Sequence, residues 1–248
     1  MRVDDRTALV GSGFLGFDLT DAFDCHIWAF DAGDEGWVLV DSGAGRDPDA
    51  ILAVCERDGI ARDAIRHLVL THAHGDHSGG SAHFRDRLPG LVIHATPRTA
   101  EIVTTGDEDA ISLTAARAAG IYPEDYVYRA CAIDEVHAAG EEVRIGSLAF
   151  TAIPTPGHSH DHHSWLVATD AKRYLASGDA LFAGGKLALQ NIWDCSVPDA
   201  IASVQRLAEH DFDALLPGHF VFTMQGARRH VDAALGVIAR LGCPESIF

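Results

Sequence analysis

Cysteine is sparse and unpaired in this 248-residue chain. Cys25, Cys55, Cys131, Cys195 and Cys243 are odd in number, widely scattered and without any paired spacing. That excludes a disulfide framework and fits a reducing compartment, and each thiol is expected to act as a small buried hydrophobe. Long apolar runs are missing too. No run reaches the roughly 18 residues that a membrane-spanning helix needs, and the opening MRVDDRTALVGSG lacks the basic-then-apolar layout of a signal peptide. A cytoplasmic location is therefore expected. Positive charge is scarce, with 19 Lys and Arg against 36 Asp and Glu, a formal net charge of −17. Such a surface repels polyphosphates and anionic bilayers, so nucleic-acid and membrane partners are disfavoured. There is no low-complexity linker, no sequence repeat, and no serine or cysteine in a convincing nucleophile motif.

What is present is ordinary globular material, 47% hydrophobic and 22% charged, long enough to bury a substantial core. CHIWAF and GWVLVDSG read as a hairpin of strands. Asp47-Pro48 opens a helix running to about Asp58, where Gly59 stops it. IRHLVLTH is a buried strand, HSGGSAHFRDR a helix start and GLVIHA another strand. Residues 97–132 differ, predicting two or three short helices with a tyrosine-bearing connection. EEVRIGSLAFTAIPT then reads as a Gly-turned hairpin and SWLVATDAKRYLASGD as two strands joined by a polar turn. VPDAIASVQRLAEH predicts a helix, FDALLPGH a strand, and QGARRHVDAALGVIARLG an amphipathic helix ending at Gly242. Tight turns make several strand pairs antiparallel, so a purely parallel doubly wound sheet is excluded. We expect one domain over 1–248, with two sheets packed together and helices outside.

The stretch LVLTHAHGDHSGG holds His72, His74, Asp76 and His77 within six positions. Imidazole and carboxylate are the groups that borderline divalent metals prefer, zinc above all. Four ligating groups on so short a loop suit two neighbouring ions better than one, each ion completed from elsewhere. Completing groups stand at or just after later strand ends: His158 in IPTPGHSHDHHS, Asp179 in LASGDALF and His219 in LLPGHF. Asp41 in VLVDSG has a similar position and is expected to orient an imidazole rather than bind metal.

This combination resembles the metallo-β-lactamase-fold hydrolase superfamily, whose pattern is His-x-His-x-Asp-His followed by a later His, Asp and His. The match spans residues 36 to 219 in the right order. The resemblance implies a four-layer αββα sandwich, here with a helical insert around 97–132. It implies His72, His74 and His158 on one metal, Asp76, His77 and His219 on the second, and Asp179 bridging them. Many members continue the middle motif as Gly-His-Ser/Thr-x-Gly; GHSHDHHS instead fits a Gly-His-Thr-x-Asp-His variant through Asp161 and His162. His158 keeps the Pro-Gly-His context and is preferred as ligand, with His160 and His163 exposed or supporting.

Two divalent ions, most readily Zn²⁺ with Fe or Mn as alternatives, would hold a bridging hydroxide that attacks a carbonyl carbon. Asp76 lies where it would also shuttle the proton. THAHGDHSGG and SGDALFAGGK resemble the hydroxyacylglutathione-hydrolase and lactonase side of the superfamily, so a small acyl thioester, lactone or ester is the expected substrate. Tyr122, Tyr126 and Tyr128 are candidates to line an acyl pocket, or else pack the insert, and Lys186 and Asn191 are candidate substrate contacts. Two other chemistries share these residues. One is phosphodiester or ribonuclease cleavage; the other is a persulfide-dioxygenase-like reaction on a single iron held by His72, His158 and Asp179. The insert or the N-terminal segment leaves room for a homodimer.

Overall fold

The computed structural model describes residues 1–248 and divides into two compact units, Met1–His137 and Ala138–Phe248. In the first, the strands are β1 (Thr7–Gly11), β2 (Ile27–Asp31), β3 (Trp37–Val40), β4 (Ile65–Val69), β5 (Val92–Ala95) and β6 (Glu135–Val136). They form one six-stranded sheet in chain order. The pairs β1–β2 and β2–β3 are antiparallel, and β3 to β6 run parallel. The helices of this unit are α1 (Pro48–Arg57), α2 (Gly75–Ser78), α3 (Ser81–Arg87), α4 (Pro97–Thr105) and α5 (Leu113–Ala118). Helix α1 starts where expected because Pro48 sits in its first turn and the Asp47 carboxylate accepts the Ala50 N–H at 3.1 Å. Strand β1 lies in a stretch the sequence reading left unassigned. Its five residues are all buried beside β2, so neighbour pairing rather than local alternation makes it a strand.

In the second unit, β7 (Glu142–Ile145), β8 (Leu148–Pro154), β9 (His163–Ala168), β10 (Arg173–Gly178) and β11 (Ala214–Pro217) form a five-stranded sheet in the order β11-β10-β9-β8-β7. All pairs are antiparallel except β10–β11, which is parallel through α6 (Val197–Leu207). The terminal helix α7 (Arg228–Ile238) ends earlier than the Gly242 boundary expected from sequence. Leu241 turns left-handed, and the Gly242 N–H returns to the Val237 carbonyl. Each unit buries its own apolar cluster, one around Leu39, Leu68, Phe84 and Ile93, the other around Leu175, Val204, Leu215 and Val231.

The cysteines correct one expectation. All five are free, but only Cys25, Cys55 and Cys131 are buried, whereas Cys195 is half-buried and Cys243 exposed. No helix is long and apolar enough to cross a membrane.

Candidate metal centre

Parallel strands bring their C-terminal ends side by side, and in the first unit that places Asp41 against the loop after β4. The Asp41 N–H donates to Val69 O at the strand end. Asp41 then takes a left-handed conformation, φ 64°, rare for a residue with a side chain. Its carboxylate gathers three donors: the Thr71 N–H at 2.8 Å, the Thr71 hydroxyl at 2.8 Å and Nδ1 of His77 at 2.8 Å. Each of these bonds fixes something beyond itself. A carboxylate only accepts, so Nδ1 of His77 carries the proton and Nε2 carries the lone pair. The Thr71 hydroxyl has its hydrogen committed to Asp41 and so accepts from Nδ1 of His72, 3.0 Å away. His72 Nε2 is thereby also left as the basic nitrogen. His74, buried, lies edge-on to His72 with ring centroids 4.8 Å apart.

The turn carrying these side chains is fastened from both sides. Ser42 takes the His77 carbonyl through both its N–H and its hydroxyl. Gly80 passes so close to Ser42 that a β-carbon there would lie 2.1 Å from the Ser42 carbonyl oxygen, which is why the motif ends in glycine. From the other side come Tyr122, Tyr126 and Tyr128, all buried. The Tyr122 hydroxyl donates to Asp76 Oδ1 at 3.0 Å. Tyr126 Oη lies 2.9 Å from Ala44 O and 3.1 Å from Gly75 O, and Tyr128 Oη lies 2.7 Å from Ser78 Oγ. Burial raises the Tyr122 phenol well above its ordinary range, so it remains an O–H donor. Burial likewise raises the Cys25 thiol, which sits near His77 and so stays protonated.

In the second unit the same logic holds at the ends of β10 and β11. Asp179 follows β10, and His219 follows β11 two residues on. Nδ1 of His158 donates to the Ala188 carbonyl at 3.1 Å, leaving Nε2 as its basic nitrogen. Gly157 lets that loop approach α6, since a β-carbon on it would meet Ala200 backbone at 2.4 Å. His162 is fully buried and is not available as a ligand. Its Nε2 accepts the Asp179 N–H at 2.9 Å, so its proton is on Nδ1, 2.8 Å from Thr155 Oγ1. Thr155 must then donate onward to Ser164 Oγ at 2.9 Å, and Ser164 to the Ser177 carbonyl at 3.2 Å. This directed chain pins the backbone of Asp179.

The donor distances fit a divalent ion. His77 Nε2 lies 3.5 Å from Asp76 Oδ2, and His158 Nε2 and His219 Nε2 each lie 3.5 Å from Asp179 Oδ2. Two ligand atoms sharing one tetrahedral zinc, each bonded at about 2.0–2.1 Å, stand about 3.3–3.5 Å apart.

A family model of the metallo-beta-lactamase superfamily matches residues 20–219. The chain belongs to that superfamily. Among curated relatives, the hydroxyacylglutathione hydrolase of Xanthomonas axonopodis pv. citri is 29% identical over 219 residues, covering 88% of this chain and 69% of that protein. That of Chromohalobacter salexigens is 29% identical over 207 residues, with 83% and 65% covered. Among solved structures, a metallo-β-lactamase of Cronobacter sakazakii with a HARLDQ motif matches with a TM-score of 0.68 at 21% identity, covering 97% of this chain and 86% of that one. A subclass B3 metallo-β-lactamase of Bradyrhizobium japonicum also gives 0.68 at 21%, covering 92% of each. At such identities the likeness is one of fold, and this chain reads HAHGDH at 72–77. The mixed α/β architecture with two sheets is that of the metallo-β-lactamase sandwich. The fold implies divalent metal ions, and membership supports a metal-dependent hydrolase in the general sense.

Other residues singled out in the sequence make contacts of their own. Lys186 is half-buried and pairs with Glu245 at 3.1 Å, and Asn191 is exposed. His160 is exposed and edge-on to the exposed Trp193, and His163 is half-buried with Nδ1 on the Asp161 carbonyl. The sequence reading missed His162 as the support of Asp179 and Thr71 as the support of His72. A threonine directly before the first motif histidine was the one local signal for the latter.

Proposed function

We propose that this protein is a dinuclear metal-dependent hydrolase of acyl compounds, cleaving a thioester, lactone or ester. In this reading His72, His74 and His158 hold one ion, Asp76, His77 and His219 hold the other, and Asp179 serves both. Zinc is the metal we assign, because imidazole and carboxylate nitrogen and oxygen donors suit it best at tetrahedral separations. The observation that carries the reading is the set of fixed tautomers: His72, His77 and His158 each have Nδ1 hydrogen-bonded to an oxygen, so each offers Nε2 as a lone pair.

When bound, the ions would supply an acidified water as nucleophile and a Lewis acid for the carbonyl oxygen. The chain's own part is to hold and to relay. Asp41 and Thr71 orient two imidazoles, and His162 holds the Asp179 backbone. Asp76, its side chain 22% exposed beside fully buried His77, is the carboxylate able to take a proton from the nucleophile and pass it to the leaving group. The hydroxyacylglutathione hydrolases among the relatives favour acyl over phosphoryl substrates, as does a net charge of −17. A cytoplasmic location accords with five free cysteines.

The test is elemental analysis of purified protein together with a panel of thioesters, lactones and phosphodiesters. Close to two metals per chain with acyl hydrolysis is the expected result. One iron per chain with oxygen consumption and no hydrolysis would replace this reading with the dioxygenase chemistry.

A further inference from the structure

Asp76 is the most solvent-exposed of the motif side chains for which a partner distance has been given, and a carboxylate rotates readily about its terminal torsion. Left alone, it would offer either oxygen, or both, to a cation. The structure shows the two oxygens already distinguished. Oδ1 accepts the Tyr122 hydroxyl at 3.0 Å, while Oδ2 stands 3.5 Å from His77 Nε2. Building on the dinuclear reading above, we propose that Tyr122 is a positioning residue of the second ion: its hydroxyl engages Oδ1 so that Asp76 binds through Oδ2 alone.

Tyr122 is itself held firmly enough to do this. Its ring stacks on Tyr126 with centroids 4.7 Å apart and on Phe23 at 5.8 Å. Tyr126 is tied to the Ala44 and Gly75 carbonyls, and Tyr128 to Ser78, whose hydroxyl reaches back to Ala73 O at 2.8 Å. Arg117 secures the segment from behind, pairing with Glu108 at 2.6 Å and donating to the Tyr126 carbonyl. One seven-residue stretch, 122–128, therefore grips the turn 73–78 at three points. The consequence for chemistry is coordination number. The second ion as proposed already has four protein donors, Asp76, His77, His219 and the shared Asp179, so a bidentate Asp76 would occupy the fifth position, where water or substrate must bind.

Tyr122→Phe deletes the hydroxyl while keeping the stacked ring. The experiment strips the full-length protein of metal and refills it with Zn²⁺ in competition with a chromophoric chelator, for wild type, Y122F, Asp76→Ala and the double variant. Wild type should take up two ions. Y122F should weaken one of them by about 10-fold or more, the range seen when a ligand's hydrogen-bond partner is removed, and leave the affinity for the other unchanged. In the Asp76→Ala background the same substitution should cost nothing further, because Tyr122 acts through Asp76. Wild-type affinities for both ions in Y122F would overturn the assignment. So would an equal loss in the Asp76→Ala background, which marks a general loosening of the turn. A wild type that binds only one ion would instead remove the dinuclear reading itself.

Discussion

A histidine that binds metal and a histidine that supports a metal ligand are indistinguishable as letters; their hydrogen bonds separate them. His72 and His158 each have Nδ1 on an oxygen, so that in the proposed site Nε2 would face a cation. His162 spends both nitrogens on the protein, one accepting the Asp179 N–H and one donating to Thr155. The expected consequences differ accordingly. His72→Ala and Asp179→Ala should lower kcat/KM by more than about 100-fold, above the loss seen for supporting groups, while circular dichroism stays that of the folded chain. His162→Ala should be a stability variant first. It leaves a buried N–H and a buried hydroxyl without their partner, a cost of about 2 to 4 kcal/mol, read in calorimetry as a fall in Tm of about 4 to 16 °C. Normal turnover in the first pair would remove those residues from the site. An unchanged Tm in His162→Ala would show that the Asp179 loop does not depend on the network.

At the level of elements, the first sheet carries a feature outside the proposed ligand set. His67 on β4, His94 on β5 and His137 just beyond β6 form a ladder, Nδ1 to Nε2 at 3.0 Å in both steps. Burial, with the neighbouring imidazoles adding to it, pushes His94 down from 6.5 to about 3, and burial also lowers His67. The unfolded chain therefore binds the His94 proton between pH 6.5 and about 3 while the folded chain does not. Stability from this group is full above pH 6.5 and is lost as pH falls toward 3, with a slope of up to about 1.4 kcal/mol per pH unit. Thermal melts between pH 7 and 4 should fall more steeply for wild type than for His94→Leu. Parallel slopes would show that His94 titrates alike in the folded and unfolded chains. The insert is the other element whose part was open in the sequence. Its tyrosines pack in the core of the first unit and reach the motif turn through their hydroxyls.

For the molecule as a whole, bound ions and folding share one equilibrium. Ions that bind only the folded chain stabilise it by about 2.7 kcal/mol each when present at 100 times their dissociation constant. Removing metal with a chelator should therefore lower Tm by about 5 to 11 °C per ion of that occupancy, and adding Zn²⁺ back should restore it. A Tm indifferent to chelator would mean that the donors are not loaded. The high negative charge works in the same direction, since a chain at −17 gains by taking up cations.

The sequence by itself determined which residues are proposed as ligands, their order, and most of the elements. Local rules suffice for those: strand alternation, Asp47-Pro48 at a helix start, Gly146 in a hairpin, and a motif whose six residues are contiguous. Strand β1 and the end of α7 escaped because partner strands and a left-handed turn decide them. What only the tertiary structure decided was which nitrogen of His72, His77 and His158 is basic, that His162 accepts the Asp179 N–H, and that Tyr122, forty-six positions from Asp76, reaches its carboxylate. The physical reason is common to all three. A hydrogen bond is specified by direction and distance between groups far apart in the chain, and no periodicity or spacing encodes where the second group will be.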